Sequence, residues 1–186
     1  MDIKQTSIPG LLIIEPKVFS DARGYFMETY RQDVIQNAVG PINFMQDNES
    51  ESQFGVLRGL HLQTGEAAQA KLVRVVSGKV FDVAVDLRSD SPTFGKWFGT
   101  VLSHENKKMI FIPRGFAHGF LVLSPTARFA YKVDNFYSPQ SEITINYRDE
   151  SLSIVWPELD IPYILSEKDV TRCIGLDQYR AKFVKN

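Results

Sequence analysis

Short runs rich in valine, isoleucine, leucine and phenylalanine recur along this chain, and each ends at a turn signal before it is long enough to be a globular helix. The runs are Leu11–Ile14, Gly55–Leu62, Lys71–Val76, Val80–Leu87, Trp97–Leu102, Lys108–Ile112, Phe120–Leu123, Arg128–Val133 and Ile143–Asn146. Between them stand Ser77-Gly78, Ser91-Pro92, Ser103–Asn106, Ser124-Pro125 and Ser138-Pro139, residues that favour turns over continued strand. Helical patterning is confined to Glu28–Asn37 and to short pieces near the C-terminus, where Ser166-Glu167-Lys168-Asp169 reads as a capped helix start. The pattern predicts an all-β fold, a sandwich or barrel with a filled mouth and a few short peripheral helices. No linker, repeat or low-complexity segment divides residues 1–186, so one domain is expected.

The chain has 186 residues, of which 44% are hydrophobic, enough to bury a substantial core. A formal net charge of −1 argues against a general nucleic-acid or membrane binder, whose affinity comes from a surplus of lysine and arginine. Any anionic ligand must therefore be met by local cations. The lone Cys173 excludes a disulfide framework within one chain. The opening M-D-I-K-Q-T-S-I-P-G lacks a basic leader with an apolar stretch behind it, and no window is apolar enough to span a bilayer. A soluble, cytoplasmic chain is the expectation.

Within the apolar runs, V-L-R-G-L-H-L-Q at Val56–Gln63 is unusual because it carries Arg58 and His61 where burial is expected. Of three histidines, His61, His104 and His118, two lie in such surroundings, the second in F-I-P-R-G-F-A-H-G-F behind a Pro113/Gly115 turn. A histidine flanked by leucines is ordinarily a hydrogen-bonded core residue. Here, however, Arg58 and Lys71 also fall in apolar contexts, where a cation is costly to desolvate unless it meets an anion. Polar residues aimed from several hydrophobic strands at one place make a pocket, and His61 is its candidate base.

Several ordered motifs give this chain a family resemblance. L-R-G-L-H-L-Q, F-D-V-A-V-D-L-R at Phe81–Arg88, S-P-T-F-G-K-W and P-R-G-F-A-H-G-F are joined by F-S-D-A-R-G-Y-F-M-E at Phe19–Glu28, Q-D-N at Gln46–Asn48 and L-S-E-K-D at Leu165–Asp169. Together the motifs resemble the dTDP-4-dehydrorhamnose 3,5-epimerase family over nearly the whole length. The resemblance implies a cupin-type jelly roll, a homodimer with an exchanged N-terminal segment, and neither metal nor organic cofactor. It also implies conversion of dTDP-4-dehydro-6-deoxy-D-glucose to dTDP-4-dehydro-L-rhamnose, in the dTDP-L-rhamnose pathway that feeds O-antigen.

Epimerising a carbon beside a ketone removes a proton from one face and returns one to the other, so the site needs a base, an opposing acid and an enolate stabiliser. His61 suits the base, since imidazole titrates near neutral pH. The resemblance pairs it with Asp169, which by itself reads as a first-turn helix carboxylate. Lys71 is the enolate stabiliser, otherwise a strand-end lysine reaching for water, and Asp82 is expected to orient it from the neighbouring strand. Tyr131 matches the family's proton donor, otherwise a packed core tyrosine. His118 matches a substrate contact. Arg23, Arg58 and Lys168 are the cations available to a diphosphate. Tyr137 matches the aromatic stacked on thymine, and Phe26, Glu28, Gln46, Asp47, Asn48 and Glu142 match other contacts. Departures from the family lie at Ile143-Thr144 and Tyr147, and at Arg114, where P-R-G replaces the commoner P-E-G; these touch the nucleotide end or rim.

Three rival readings share this pattern. A metal-dependent cupin uses an H-x-H pair, but Gln63 stands where the second histidine belongs, and Lys71 sits close behind. A non-catalytic sugar-binding module needs the pocket without the acid–base set. A single epimerase acting at carbon 3 or carbon 5 alone needs the same side chains.

Overall fold

The structure is a computed structural model and describes residues 1–184. Two six-stranded sheets face each other across a common interior. In chain order the strands are β1 (Asp2–Gln5), β2 (Leu12–Glu15), β3 (Val18–Asp21), β4 (Gly24–Met27), β5 (Gln46–Gln53), β6 (Leu57–Gln63), β7 (Lys71–Ser77), β8 (Lys79–Asp86), β9 (Trp97–Ser103), β10 (Met109–Ile112), β11 (Phe116–Val122), β12 (Thr126–Val133), β13 (Glu142–Ile145) and β14 (Cys173–Ile174). Three helices accompany them: α1 (Gln32–Val39), α2 (Glu167–Thr171) and α3 (Leu176–Phe183). The first sheet has the order β1-β2-β10-β7-β12-β5, the second β14-β13-β6-β11-β8-β9, and β3 with β4 forms a separate hairpin. This is the expected jelly-roll architecture of the cupin type.

Both faces of the inner strands of each sheet are covered, which explains why several runs are apolar without alternation. Between the sheets lie Val73, Val75, Val80, Ala84, Ile110, Ile112, Phe116, Phe120 and Phe129. Outside the first sheet, Leu12, Ile14, Leu72, Met109 and Phe111 pack with Ile35 of α1. Outside the second, Leu60, Leu62, Val83 and Val85 pack with Leu176 and Tyr179 of α3. All seven residues of β11 are consequently buried. The phenyl rings of Phe120 and Phe129 stack at 4.2 Å, and His118 and Tyr131 lie against Phe129 at 5.9 and 6.2 Å. Each buried phenyl contributes roughly 1.5–3 kcal/mol of transfer free energy, so this stack is a firm floor beneath the polar groups above it.

The departures from the sequence reading have local causes. β11 begins at Phe116 rather than Phe120, because the Pro113–Gly115 turn, with Gly115 at φ 84°, delivers the chain directly into the sheet. The early helix runs from Gln32 to Val39 rather than from Glu28 to Asn37; it stops where Gly40, at φ 86°, turns the chain and returns its N–H to Gln36. β5 and the β3–β4 hairpin were not expected as strands. β5 reads Q-D-N-E-S-E-S-Q and has no apolar face to detect. The hairpin stands away from the core with Phe19, Tyr25 and Phe26 more than half exposed.

Candidate active site

His61 and Arg58 are three residues apart on β6, so simple alternation would send them to opposite faces of the sheet. A β-bulge changes that parity. His118 pairs with His61 and Phe120 with Arg58, leaving Gly59 and Leu60 opposite Gly119 alone. Leu60 then turns to the outer core, while Arg58 donates from Nε to Ser52 Oγ of β5 at 3.0 Å. The bulge needs glycine on both strands. Gly59 has φ 128°, and a Cβ there would lie 2.6 Å from Gly119 Cα and 2.9 Å from the His118 carbonyl; one on Gly119 would lie 2.6 Å from the Arg58 carbonyl. Gly59→Ala is therefore expected to cost roughly 1–3 kcal/mol by overpacking. Its Tm, read by thermal melting, should fall on the order of 5 °C, with a loss of activity as His61 is re-aimed. An unchanged Tm would mean that the bulge tolerates a side chain.

His61 is partly exposed and bonds through Nε2 to Asp169 Oδ1 at 2.5 Å. Asp169 comes from α2, where the Ser166 Oγ accepts the Asp169 N–H as the helix cap and donates its own proton to Asp169 Oδ2 at 2.8 Å. Burial by itself would raise the Asp169 pKa, but the hydrogen bonds from His61 and Ser166, with the charges of His61 and Lys168, hold it below the usual carboxylate value. An ionised Asp169 facing Nε2 fixes the proton on that nitrogen and leaves Nδ1 as the nitrogen able to accept another. Both roles considered for Asp169, first-turn helix residue and histidine partner, are met by one side chain.

His118, on the neighbouring strand, bonds through Nε2 to Asp82 Oδ2 at 2.9 Å, and both are buried. Burial pushes His118 below its ordinary pKa despite Asp82, helped by the charges of Lys71 and His61, so it is neutral at pH 7. Asp82 was expected to hold Lys71 from a neighbouring strand; that is corrected. β8 and β7 belong to opposite sheets, and the carboxylate hydrogen bonds to His118 instead, acting on Lys71 through its charge. Asp82 Oδ1 is buried without a hydrogen-bond partner among the described residues. Lys71 projects into the same interior, and desolvation lowers its pKa to about 8 against the opposing charges of Asp82 and Glu142.

The facing wall supplies the remaining groups. Tyr131 on β12 pairs in register with Val73 and with Asn48. Burial raises its phenol pKa, with Arg58 opposing and Glu142 adding, so the proton is retained. Gln46, Asn48, Gln69, Tyr131 and Tyr137 line a cavity of about 300 Å³. The Tyr137 hydroxyl donates to Glu142 Oε2 at 2.7 Å, and the Lys168 ammonium pairs with the same oxygen. Burial would raise Glu142, yet those two hydrogen bonds hold it below the usual range.

Some expected contacts lie elsewhere. Asp47 is on the opposite face of β5 from Gln46 and Asn48, where it pairs with Lys132 at 2.5 Å. Arg23, Phe26 and Glu28 belong to the hairpin and its exit; Arg23 pairs with Asp21, and none of the three lines the cavity of Tyr131 and Tyr137. Three residues were not picked out from the sequence as parts of the site: Ser166, whose signal was the helix-start pattern, and Ser52 and Gln69, which carried none. Among the described residues no group of three or more His, Cys, Asp and Glu side chains is arranged to hold a metal ion, and no helix is long and apolar enough to cross a membrane.

The arrangement has known counterparts. A model of the dTDP-4-dehydrorhamnose 3,5-epimerase family matches residues 5–174. The dTDP-4-dehydrorhamnose 3,5-epimerase of Salmonella typhimurium is 53% identical over 179 residues, covering 96% of this chain and 97% of that protein. The crystal structure of dTDP-6-deoxy-D-glucose-3,5-epimerase from Legionella pneumophila, in complex with dTDP-4-keto-L-rhamnose, is 48% identical and superposes with a TM-score of 0.93 over 100% of this chain and 97% of that one. A 3'-monoepimerase from Streptomyces bikiniensis, in complex with dTDP-quinovose, is 33% identical with a TM-score of 0.88, covering 95% and 88%. With the fold, the paired histidine and aspartate and these matches in agreement, the chain belongs to the dTDP-4-dehydrorhamnose 3,5-epimerase family.

Proposed function

We propose that this protein converts dTDP-4-dehydro-6-deoxy-D-glucose to dTDP-4-dehydro-L-rhamnose by successive epimerisation at carbons 3 and 5. The observation that carries this reading is that His61, held by Asp169 of α2, lies on one sheet and Tyr131 on the other, as two-faced proton exchange demands. His61 Nδ1 takes the proton beside the ketone, and the electron pair moves onto the carbonyl oxygen, where the Lys71 ammonium meets the developing charge. Tyr131 returns a proton to the opposite face. His118, Arg58, Gln46, Asn48, Glu142 and Lys168 bind the dTDP-sugar, with Tyr137 stacked on the base. No metal or organic cofactor takes part in this scheme, and residues 1–186 act as one epimerase domain.

We further propose a cytoplasmic homodimer supplying the dTDP-L-rhamnose route to O-antigen. The exposed hairpin and its Arg23, Phe26 and Glu28 are then the segment exchanged with a second copy. Their absence from the lining of the Tyr131 cavity and the exposed rings of Phe19, Tyr25 and Phe26 support that exchange.

The test is proton NMR of the 4-keto sugar in heavy water with chelator-treated protein. Deuterium entering at both carbons, with the L-sugar trapped by a reductase, is the expected result. Entry at one carbon alone would make this a single epimerase, and entry at neither would overturn the reading. In the same assay Tyr131→Phe should slow product formation roughly 10²-fold or more while deuterium still enters the substrate, because the base remains and only the opposing acid is lost. Equal loss of both signals would take the proton-donor role away from Tyr131.

A further inference from the structure

We propose that Gln63 is a positioning residue for nucleotide binding, holding the loop that carries Tyr137 through its main chain. This rests on the reading of Tyr137 as the platform for the base. Gln63 occupies the place where an H-x-H metal site would have its second histidine, two residues beyond His61 and so on the same face of β6. It is 5% exposed, and its amide is committed to backbone. Nε2 donates to the Ala67 carbonyl at 2.7 Å and to the Phe136 carbonyl at 3.1 Å, while Oε1 accepts the Ser138 N–H at 2.7 Å.

The residues on either side of Tyr137 are thus both tied to one buried side chain. With both amide protons spent on carbonyls, Gln63 has none left to donate to a ligand. A histidine could not replace it, since an imidazole has two ring nitrogens and cannot serve two carbonyls and an N–H together. Gln63 also faces Glu142 across the β6–β13 register, and Glu142 accepts from the Tyr137 hydroxyl. Tyr137 is therefore fixed at its backbone by Gln63 and at its tip by Glu142, although the residue is 56% exposed. The same two loops are joined a second time by Asn135, whose Nδ2 donates to the Glu66 carbonyl at 2.8 Å.

The experiment is a double-mutant cycle with Gln63→Met, Tyr137→Ala and the two combined, reading dTDP affinity by calorimetry, KM and kcat by NMR, and folding by thermal melting. Gln63→Met is expected to raise both the Kd for dTDP and KM on the order of tenfold, with kcat at saturation within about twofold of the parent. In the combined variant the effect should vanish, leaving Kd equal to that of Tyr137→Ala. A fall in kcat with KM unchanged would overturn the proposal by tying Gln63 to the chemistry of His61. Multiplying effects in the combined variant would overturn it by making the two residues independent. If Tyr137→Ala leaves dTDP affinity intact, the platform reading falls and this proposal with it. Should Gln63→Met fail to fold, Asn135→Ala carries the same cycle from a half-buried position, with a smaller rise in KM expected and an unchanged KM overturning the loop-holding role.

Discussion

Asp169→Asn is expected to abolish epimerisation nearly as completely as His61→Ala, with kcat lowered on the order of 10²–10⁴-fold in both and dTDP affinity within about twofold of the parent. The aspartate result follows from Ser166. Its Oγ donates to Asp169 Oδ2 while accepting the Asp169 N–H, which favours an acceptor at that position. An asparagine therefore turns its carbonyl toward Ser166 and its NH₂ toward His61. The imidazole must then accept at Nε2 and carry its proton on Nδ1, the nitrogen that should take the substrate's proton. The helix cap through the Asp169 N–H survives the change, so the fold should hold. Deuterium exchange separates this tautomer effect from lost packing: exchange should cease in Asp169→Asn while its melting temperature stays near the parent's. An active Asp169→Asn would sink the tautomer argument, and an active His61→Ala the base assignment.

How far this site could be read from the sequence depended on whether each element advertised itself by hydrophobicity. β7, β8 and β10 did, because most of their residues are buried and apolar even where Lys71, Arg74, Asp82 and Asp86 interrupt the runs. β5 could not, since its inner face is polar for a purpose: Gln46 and Asn48 line the cavity beside Tyr131. A strand that contributes ligand contacts instead of core looks like a loop by composition. The bulge at Gly59 was equally silent, because alternation alone sets Arg58 and His61 on opposite faces, and only the paired strand reveals the extra residue. Asp169 is the opposite case. Its local signal, a carboxylate after a capping serine, is correct as far as it goes, while its partner lies 108 residues earlier and no local pattern links the two. Asp82 went astray for a related reason. Strands adjacent in sequence fall into different sheets of a jelly roll, so proximity along the chain suggested Lys71, and the sheet supplied His118.

Lys71→Met should move activity and stability in opposite directions. Losing the ammonium that meets the enolate oxygen is expected to cost roughly 10²–10³ in kcat, the usual scale for one charge-stabilising donor. Stability should rise. Burial has moved the pKa from 10.5 to about 8, which means the folded protein holds this charge at a cost on the order of 3 kcal/mol at most, since part of the side chain still meets solvent. The sign follows from proton counting. Below pH 8 the lysine is protonated in both the folded and unfolded chains and the cost is complete. Between pH 8 and 10.5 the unfolded chain binds a proton that the folded one does not, so stability rises with pH and the cost fades. The gain in Tm from Lys71→Met should therefore be largest near neutral pH and shrink toward pH 10. Over the same interval the parent's kcat/KM should fall as the ammonium is lost, and the variant's residual activity should not follow that limb. A variant with parental kcat would remove Lys71 from the chemistry. A fall in Tm at pH 7 would show that Asp82 and Glu142 more than offset the desolvation of the ammonium, making Lys71 a structural ion partner first. Opposite movements are what a charge held against the cost of its burial, for the sake of the reaction, produces.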